Sequence, residues 1–240
     1  MAGGGLMRVD DFRTSAAAFY ASYLDDRAEI LQGLTAAEAR IYAAAVPAGA
    51  RIVVIGCGSG RDLLPLVAAG HEVVGIDPAA QPLATLTALL AERQQTADLI
   101  HGFIEDVTLP GSFDTIILAH TCYSYMPDSS RRRALLARLA SHLRPNGFLI
   151  IHYLYREGSW SQAGRRVAGA IARLCGSDVP WEPYDVVHLV EHGSSGILLF
   201  EHFFLPAELS EEAARAGLGP AAGDHFASAS GIAVFSRRAD

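Results

Sequence analysis

The run Val53-Val54-Ile55-Gly56-Cys57-Gly58-Ser59-Gly60-Arg61-Asp62 sets three alternate glycines directly after an apolar stretch. A Cβ at such positions would block a tight turn and hold a ligand away from the backbone. Glycines here open main-chain N–H groups to a polar or anionic group. The next apolar run, Glu72-Val73-Val74-Gly75-Ile76, ends in Asp77, seventeen residues beyond Gly60. A carboxylate at the tip of an adjacent strand can accept hydrogen bonds from both hydroxyls of a ribose. Turn and acid together point to a ligand that carries a nucleoside. Position 61 is arginine, so the Gly-x-Gly-x-x-Gly dinucleotide pattern is not met. The chain also lacks any lysine for a Tyr-x-x-x-Lys proton relay, which disfavours a nicotinamide-dependent oxidoreductase.

A second group of candidates lies further along. His120, in Ala119-His120-Thr121-Cys122-Tyr123-Ser124-Tyr125-Met126, is the first choice for a general base, because an imidazole titrates near neutral pH. Its other reading is a polar contact to the ligand. His152 is the second candidate base, with a satisfied buried histidine as its alternative. His188, His192 and His202 fall in or beside a later hairpin without supporting cysteine or acidic spacing, so no metal is expected. Arg131-Arg132-Arg133 follows Asp128-Ser129-Ser130, the pattern of a capped helix with a solvated basic face. No Gly-x-Ser-x-Gly context supports an acyl-transfer serine.

The elements that must position these residues alternate regularly. Strands are expected at Arg51–Ile55, Glu72–Ile76, Leu99–Phe103, Thr115–Ala119 and Gly147–Tyr153. Helices are expected at Asp62–Ala69, Pro82–Arg93 and Arg131–Leu143. Val- and Ile-rich strands separated by helices imply a parallel sheet covered on both faces. Residues 1–47 form a helical segment, with pieces around Ala16–Tyr23 and Ala36–Ala45, and residues 48–240 the core. The rhythm breaks after Tyr153. An inserted helix, Ala163–Cys175, and a hairpin, Asp185–Glu191 with Ile197–Leu205, occupy 154–205 as an insertion at the ligand-facing end. Its aromatic residues Trp160, Trp181 and Tyr184 are candidates to line an acceptor pocket. A helix at Glu208–Ala216 and strands at His225–Ser228 and Ile232–Ser236 follow.

Composition narrows the function classes. Of 240 residues, half are apolar and 19% charged, the balance of an ordinary globular enzyme. The net charge of −7 argues against a general binder of nucleic-acid backbones. All 19 basic residues are arginine, so neither a Schiff base nor a P-loop lysine is available. Three widely spaced cysteines, Cys57, Cys122 and Cys175, suit a reducing compartment. No signal-like start or long apolar span is visible, and a cytoplasmic protein is expected, with a homodimer as the candidate assembly.

These motifs, in kind and order, resemble the class I S-adenosylmethionine-dependent methyltransferases over roughly residues 48–153 and 200–238. Ile55–Asp62 is similar to their first motif and Val74-Gly75-Ile76-Asp77 to their second. Phe113-Asp114-Thr115-Ile116-Ile117-Leu118 is similar to the fourth, and Leu143-Arg144-Pro145-Asn146-Gly147-Phe148 to the turn before the fifth strand. The resemblance implies a Rossmann-like, doubly wound α/β sheet of seven strands, mostly parallel with an antiparallel C-terminal strand. It implies S-adenosylmethionine as cofactor and a small-molecule acceptor, methylated on oxygen or nitrogen and in the manner of a secondary metabolite. Gly56, Gly58 and Gly60 would bring backbone amides to the methionine part and Asp77 would hold the ribose, with Cys57, Pro78, Ile104, Glu105, Ala119 and His120 also expected to bind the cofactor. Where the family carries an acid after the third strand, this chain has Phe103 in Gly102-Phe103-Ile104-Glu105-Asp106. Phe103 is either a core residue or an adenine contact, with Glu105 or Asp106 then reaching the amino group. That departure keeps a second class open: a cofactor-binding protein that does not methylate, such as a cyclase or regulatory subunit.

Overall fold

Strand β1 (Arg51–Ile55) is buried at every position but its first, because both its faces are covered. Ile52 and Val54 enter one apolar cluster, whereas Val53 and Ile55 enter another on the opposite face. The structure, a computed structural model, describes residues 8–23, 27–155, 179–192, 195–227 and 230–237. Three helices, α1 (Val9–Tyr23), α2 (Arg27–Gln32) and α3 (Ala36–Ala45), precede the sheet. They are followed by α4 (Leu63–Ala68), β2 (Glu72–Asp77), α5 (Ala80–Glu92), β3 (Asp98–His101) and β4 (Phe113–Leu118). A 3-10 turn (Cys122–Tyr125), α6 (Ser129–His142) and β5 (Leu143–Leu154) complete the parallel unit. The hairpin β6 (Asp185–His192) and β7 (Ser195–His202), then α7 (Pro206–Arg215), β8 (Leu218–Ala227) and β9 (Ser230–Arg237), end the chain.

The main sheet has seven strands in the order β3-β2-β1-β4-β5-β9-β8, with β9 antiparallel to both neighbours. The order reverses between β1 and β4, which opens a crevice at their C-terminal ends where a ligand can sit. The sheet is thus the doubly wound α/β architecture expected from the sequence. Strand bounds differ mostly by a residue or two. Two strands begin earlier: β5 at Leu143, four residues before the expected Gly147, and β8 at Leu218, seven before the expected His225, because Gly and Pro punctuation hides strands that bulge. The expected helix Ala163–Cys175 lies outside the described residues. Among those residues no helix is long and apolar enough to cross a membrane.

β6 and β7 form their own two-stranded sheet. It is tied to the core by buried charge. Arg132 is wholly buried, pairing with Glu182 (2.8 Å) and Glu212 (2.7 Å) and donating to the Met126 carbonyl (3.2 Å). This corrects the expectation of a solvated Arg131–Arg133 face. Asp128 does cap α6, accepting from the Ser130 N–H, and Arg133 bonds Ser129, but the middle arginine points inward. His202 is likewise buried, between Asp185 (2.6 Å) and Glu208 (3.2 Å), while half-exposed His188 pairs with Glu201. So the acids absent from the local spacing around His202 arrive from other elements. The Glu182, Asp185 and His202 ligand atoms lie within 4.8 Å of one another, and all three are already engaged by protein partners.

Arg132→Leu would leave Glu182 and Glu212 buried without their cation. We expect a loss of about 3–5 kcal/mol in urea unfolding. A loss below 1 kcal/mol would mean that the hairpin is held by apolar packing alone.

Candidate functional site

The cleft lies at the C-terminal ends of β1 to β4 and encloses about 900 Å³ including its open mouth. That size suits a cofactor or small molecule. Gly56, Asp77, Pro78, Ile104, Glu105 and His120 line it, together with Phe103, Tyr123 and Tyr125. Cys57, Gly58, Gly60 and Ala119 are not part of the lining: the first three belong to the turn after β1, and Ala119 follows β4 and donates to the Ile55 carbonyl. The loop glycines earn their type by conformation: Gly56, Gly58 and Gly60 have φ of +73°, +48° and +101°. A Cβ on Gly60 would also meet Leu86 Cδ1 at 2.4 Å.

Asp77 is 5% exposed, and its carboxylate accepts the Gly58 N–H and the Ala79 N–H, each at 2.8 Å. It therefore both closes the turn before α5 and clamps the glycine loop. A carboxylate offers about four acceptor positions, so two remain for a ligand. Burial raises its pKa, and the two amides with His120 and His101 offset part of that rise. Two open acceptor positions beside an apolar cleft fit a ribose diol joined to a flat base.

His120 faces the cleft from the end of β4, with its side chain 26% exposed. His120 and Thr121 adopt consecutive left-handed conformations, φ +49° and +56°. Non-glycine residues held there cost of order 1 kcal/mol or more each and recur at functional sites. The Cys122 and Ser124 N–H groups, bonded to Ala119 and Thr121 carbonyls, hold the turn. His120 Nε2 stands 3.6 Å from Oδ2 of Asp62, which is 1% exposed.

Behind Asp62 runs a buried polar chain. Tyr42 donates its hydroxyl proton to Asp62 (2.8 Å) and lies 3.0 Å from His152 Nε2. With that single proton spent, His152 Nε2 must itself carry hydrogen and donate to the Tyr42 oxygen. Burial lowers the His152 pKa, which favours that neutral tautomer. His152 is thus tied inside the protein and is not among the cleft-lining residues. Arg61 pairs with Glu38 (2.6 Å) and Asp62 (3.3 Å). Burial pushes the Glu38 carboxyl up, but Arg61 and the Thr35 cap outweigh it and bring its pKa down to about 2. Sequence reasoning missed Glu38, Tyr42 and the part of Asp62. The only local signal was the Thr35–Glu38 capping box of α3.

Two of the insertion's aromatic residues lie away from this cleft. Trp181 packs edge-on against Phe200, which also receives Phe12 of α1, and neither Trp181 nor Tyr184 lines the cleft. Trp160 lies outside the described residues. Instead α1 roofs the cleft with Arg13, Ala16 and Ala17.

Residues 52–147 match the family described as a methyltransferase domain. Over these residues, 40% of the chain, the protein is similar to methyltransferase domains. A ubiquinone biosynthesis O-methyltransferase of Bradyrhizobium sp. is 30% identical over 122 residues, 51% of this chain and 46% of that protein. A cypemycin N-terminal methyltransferase of Streptomyces sp. is 28% identical over 99 residues, 41% and 40% of the two chains. The chain therefore spans about half the length, or less, of these curated relatives. The solved complex of DhpI with SAH shares the fold at a TM-score of 0.66 and 15% identity, covering 95% of this chain and 98% of that one.

The Glu38 charge should stabilise the fold. A carboxyl whose pKa is lowered by folding contributes stability above its unfolded pKa, near 4.5, and loses it as pH falls toward about 2. Glu38→Gln should cost on the order of 2–3 kcal/mol at pH 7. Urea unfolding should show that deficit shrinking below pH 4.5 and vanishing near pH 2. A pH-independent deficit would assign the effect to packing.

Proposed function

We propose that the protein transfers a methyl group from S-adenosylmethionine to an oxygen or nitrogen of a small molecule of the secondary-metabolite kind. The observation that carries this reading is the buried Asp77 carboxylate, open on two acceptor positions, facing His120 across one cleft. The O- and N-methyltransferase relatives support both acceptor atoms, and free Cys57 and Cys122 suit a cytoplasmic setting. When bound, the sulfonium supplies an already electrophilic methyl, so the protein's tasks are alignment, exclusion of water and removal of one proton.

The residues divide that work. Asp77 accepts the ribose hydroxyls, while Pro78 and Ile104 close apolar walls around the nucleoside. His120 takes the acceptor's proton. Asp62 lies 3.6 Å from Nε2, on the inner side of the ring. Tyr42 holds Asp62 in place, and His152 holds Tyr42. The left-handed backbone at His120 turns its ring toward both the cleft and Asp62.

S-adenosylhomocysteine at about 100 times its Kd should add roughly 2.7 kcal/mol of stability, whereas NAD should add none. With S-adenosylmethionine and a metabolite extract, the native protein should give products 14 mass units heavier. His120→Ala should lower kcat by about 10²–10⁴ with little change in S-adenosylhomocysteine Kd. It should also remove the rising limb that an imidazole base imposes on the pH–rate profile. An unaltered profile with weakened cofactor binding would make His120 a contact and not a base.

A further inference from the structure

Besides His120, two acids and two arginines line the cleft: Asp77 and Glu105, Arg13 and Arg131. The first three are met within the protein. Asp77 accepts two amides, and Glu105 and Asp106 both face Arg13. Arg131 is half-buried, and its guanidinium enters no ion pair or hydrogen bond with the described residues. Its sequence neighbours are both engaged, Arg132 with Glu182 and Glu212 and Arg133 with Ser129. Arg131 also stands in the first turn of α6, which holds no acid, and the helix dipole disfavours a cation there. The fold therefore gains no bond from this charge, and the cleft gains an open, forked donor.

Arg131 stands apart from the places where the cofactor is expected. The glycine loop feeds α4, whose leucines pack with Ile52 and Val54 on one face of the sheet. α6 covers the other face, with Leu135 and Leu139 in the cluster of Val53 and Ile55. Further along α6, Arg138 donates to the carbonyls of Ile104 and Val107 in the loop after β3. Arg131 lies two turns, about 10 Å, before it. The connection that carries Arg131 also carries His120 and Tyr125 into the lining. We propose that Arg131 binds a carboxylate or phosphate borne by the acceptor, so that the cleft selects small anionic acceptors. This proposal rests on the methyl-transfer reading, and its test separates the two.

The test divides a metabolite extract on a strong anion exchanger at neutral pH and offers each half, with S-adenosylmethionine, to the full chain. Products heavier by one methylene should arise from the retained half. They should themselves be retained, because the group at Arg131 is not the one methylated. Products from the unretained half in equal or greater yield, or products that have lost their negative charge, overturn the proposal. Methylation of neither half would overturn the methyl-transfer reading itself, and the proposal with it. Arg131→Gln should need at least tenfold more of the retained half for half-maximal rate, through loss of a charge-assisted hydrogen bond. Its plateau rate, melting temperature and S-adenosylhomocysteine Kd should stay close to native. An unchanged half-saturation would remove Arg131 from acceptor recognition. A Kd for S-adenosylhomocysteine weakened tenfold would assign the guanidinium to the cofactor's own carboxylate and likewise overturn the proposal.

Discussion

A single buried carboxylate organises the ligand-facing edge of this protein. Asp77 ends β2, yet its two oxygens reach the Gly58 amide in the preceding loop and the Ala79 amide at the start of α5. The Gly56 and Cys57 amides close on the carbonyl of Ile76, one residue earlier, and Gly102 closes on that of Asp77. Loops after three parallel strands are thereby fixed to one point. A buried charge needs such partners, because each unmatched one would carry a large desolvation cost. Two acceptor positions remain on a residue that lines the cleft, so the group that fixes these loops is also the one proposed to bind the ribose.

The opposite wall follows a different logic. His120 occupies a left-handed backbone that a non-glycine residue adopts only when its surroundings impose it. The turn bonds at Ala119 and Thr121 impose it, and Asp62 meets the imidazole there. Asp62 is in turn fixed by Tyr42 from α3 and Arg61 from the glycine loop. The helices before the sheet are therefore part of the site. α3 anchors the buried polar chain, and α1 closes the cleft from above.

Local features were legible in the sequence. The glycine loop, Asp77 and the β1–β5 alternation depend on residue types a few positions apart, and periodicity reports these directly. What stayed hidden depends on distance along the chain. Arg132 reads as surface because its neighbours are arginines, but its partners lie 50 and 80 residues away at Glu182 and Glu212. Tyr42 and His152 are 110 residues apart. Trp181 was expected in the pocket because a large aromatic in a polar excursion needs cover; that cover comes from Phe200, which Phe12 of α1 also covers. Phe103 was open between core and cleft, and the Arg13 contact places it at the cleft wall.

The account depends most on Asp77 holding a ribose. Titration calorimetry of S-adenosylhomocysteine against the native protein and Asp77→Ala, with circular dichroism to confirm that the fold persists, tests it directly. Two charge-assisted hydrogen bonds at about 1.5 kcal/mol each correspond to a Kd weakened by roughly 10²-fold. An unchanged Kd in a folded variant would reduce Asp77 to a turn residue and contradict the account.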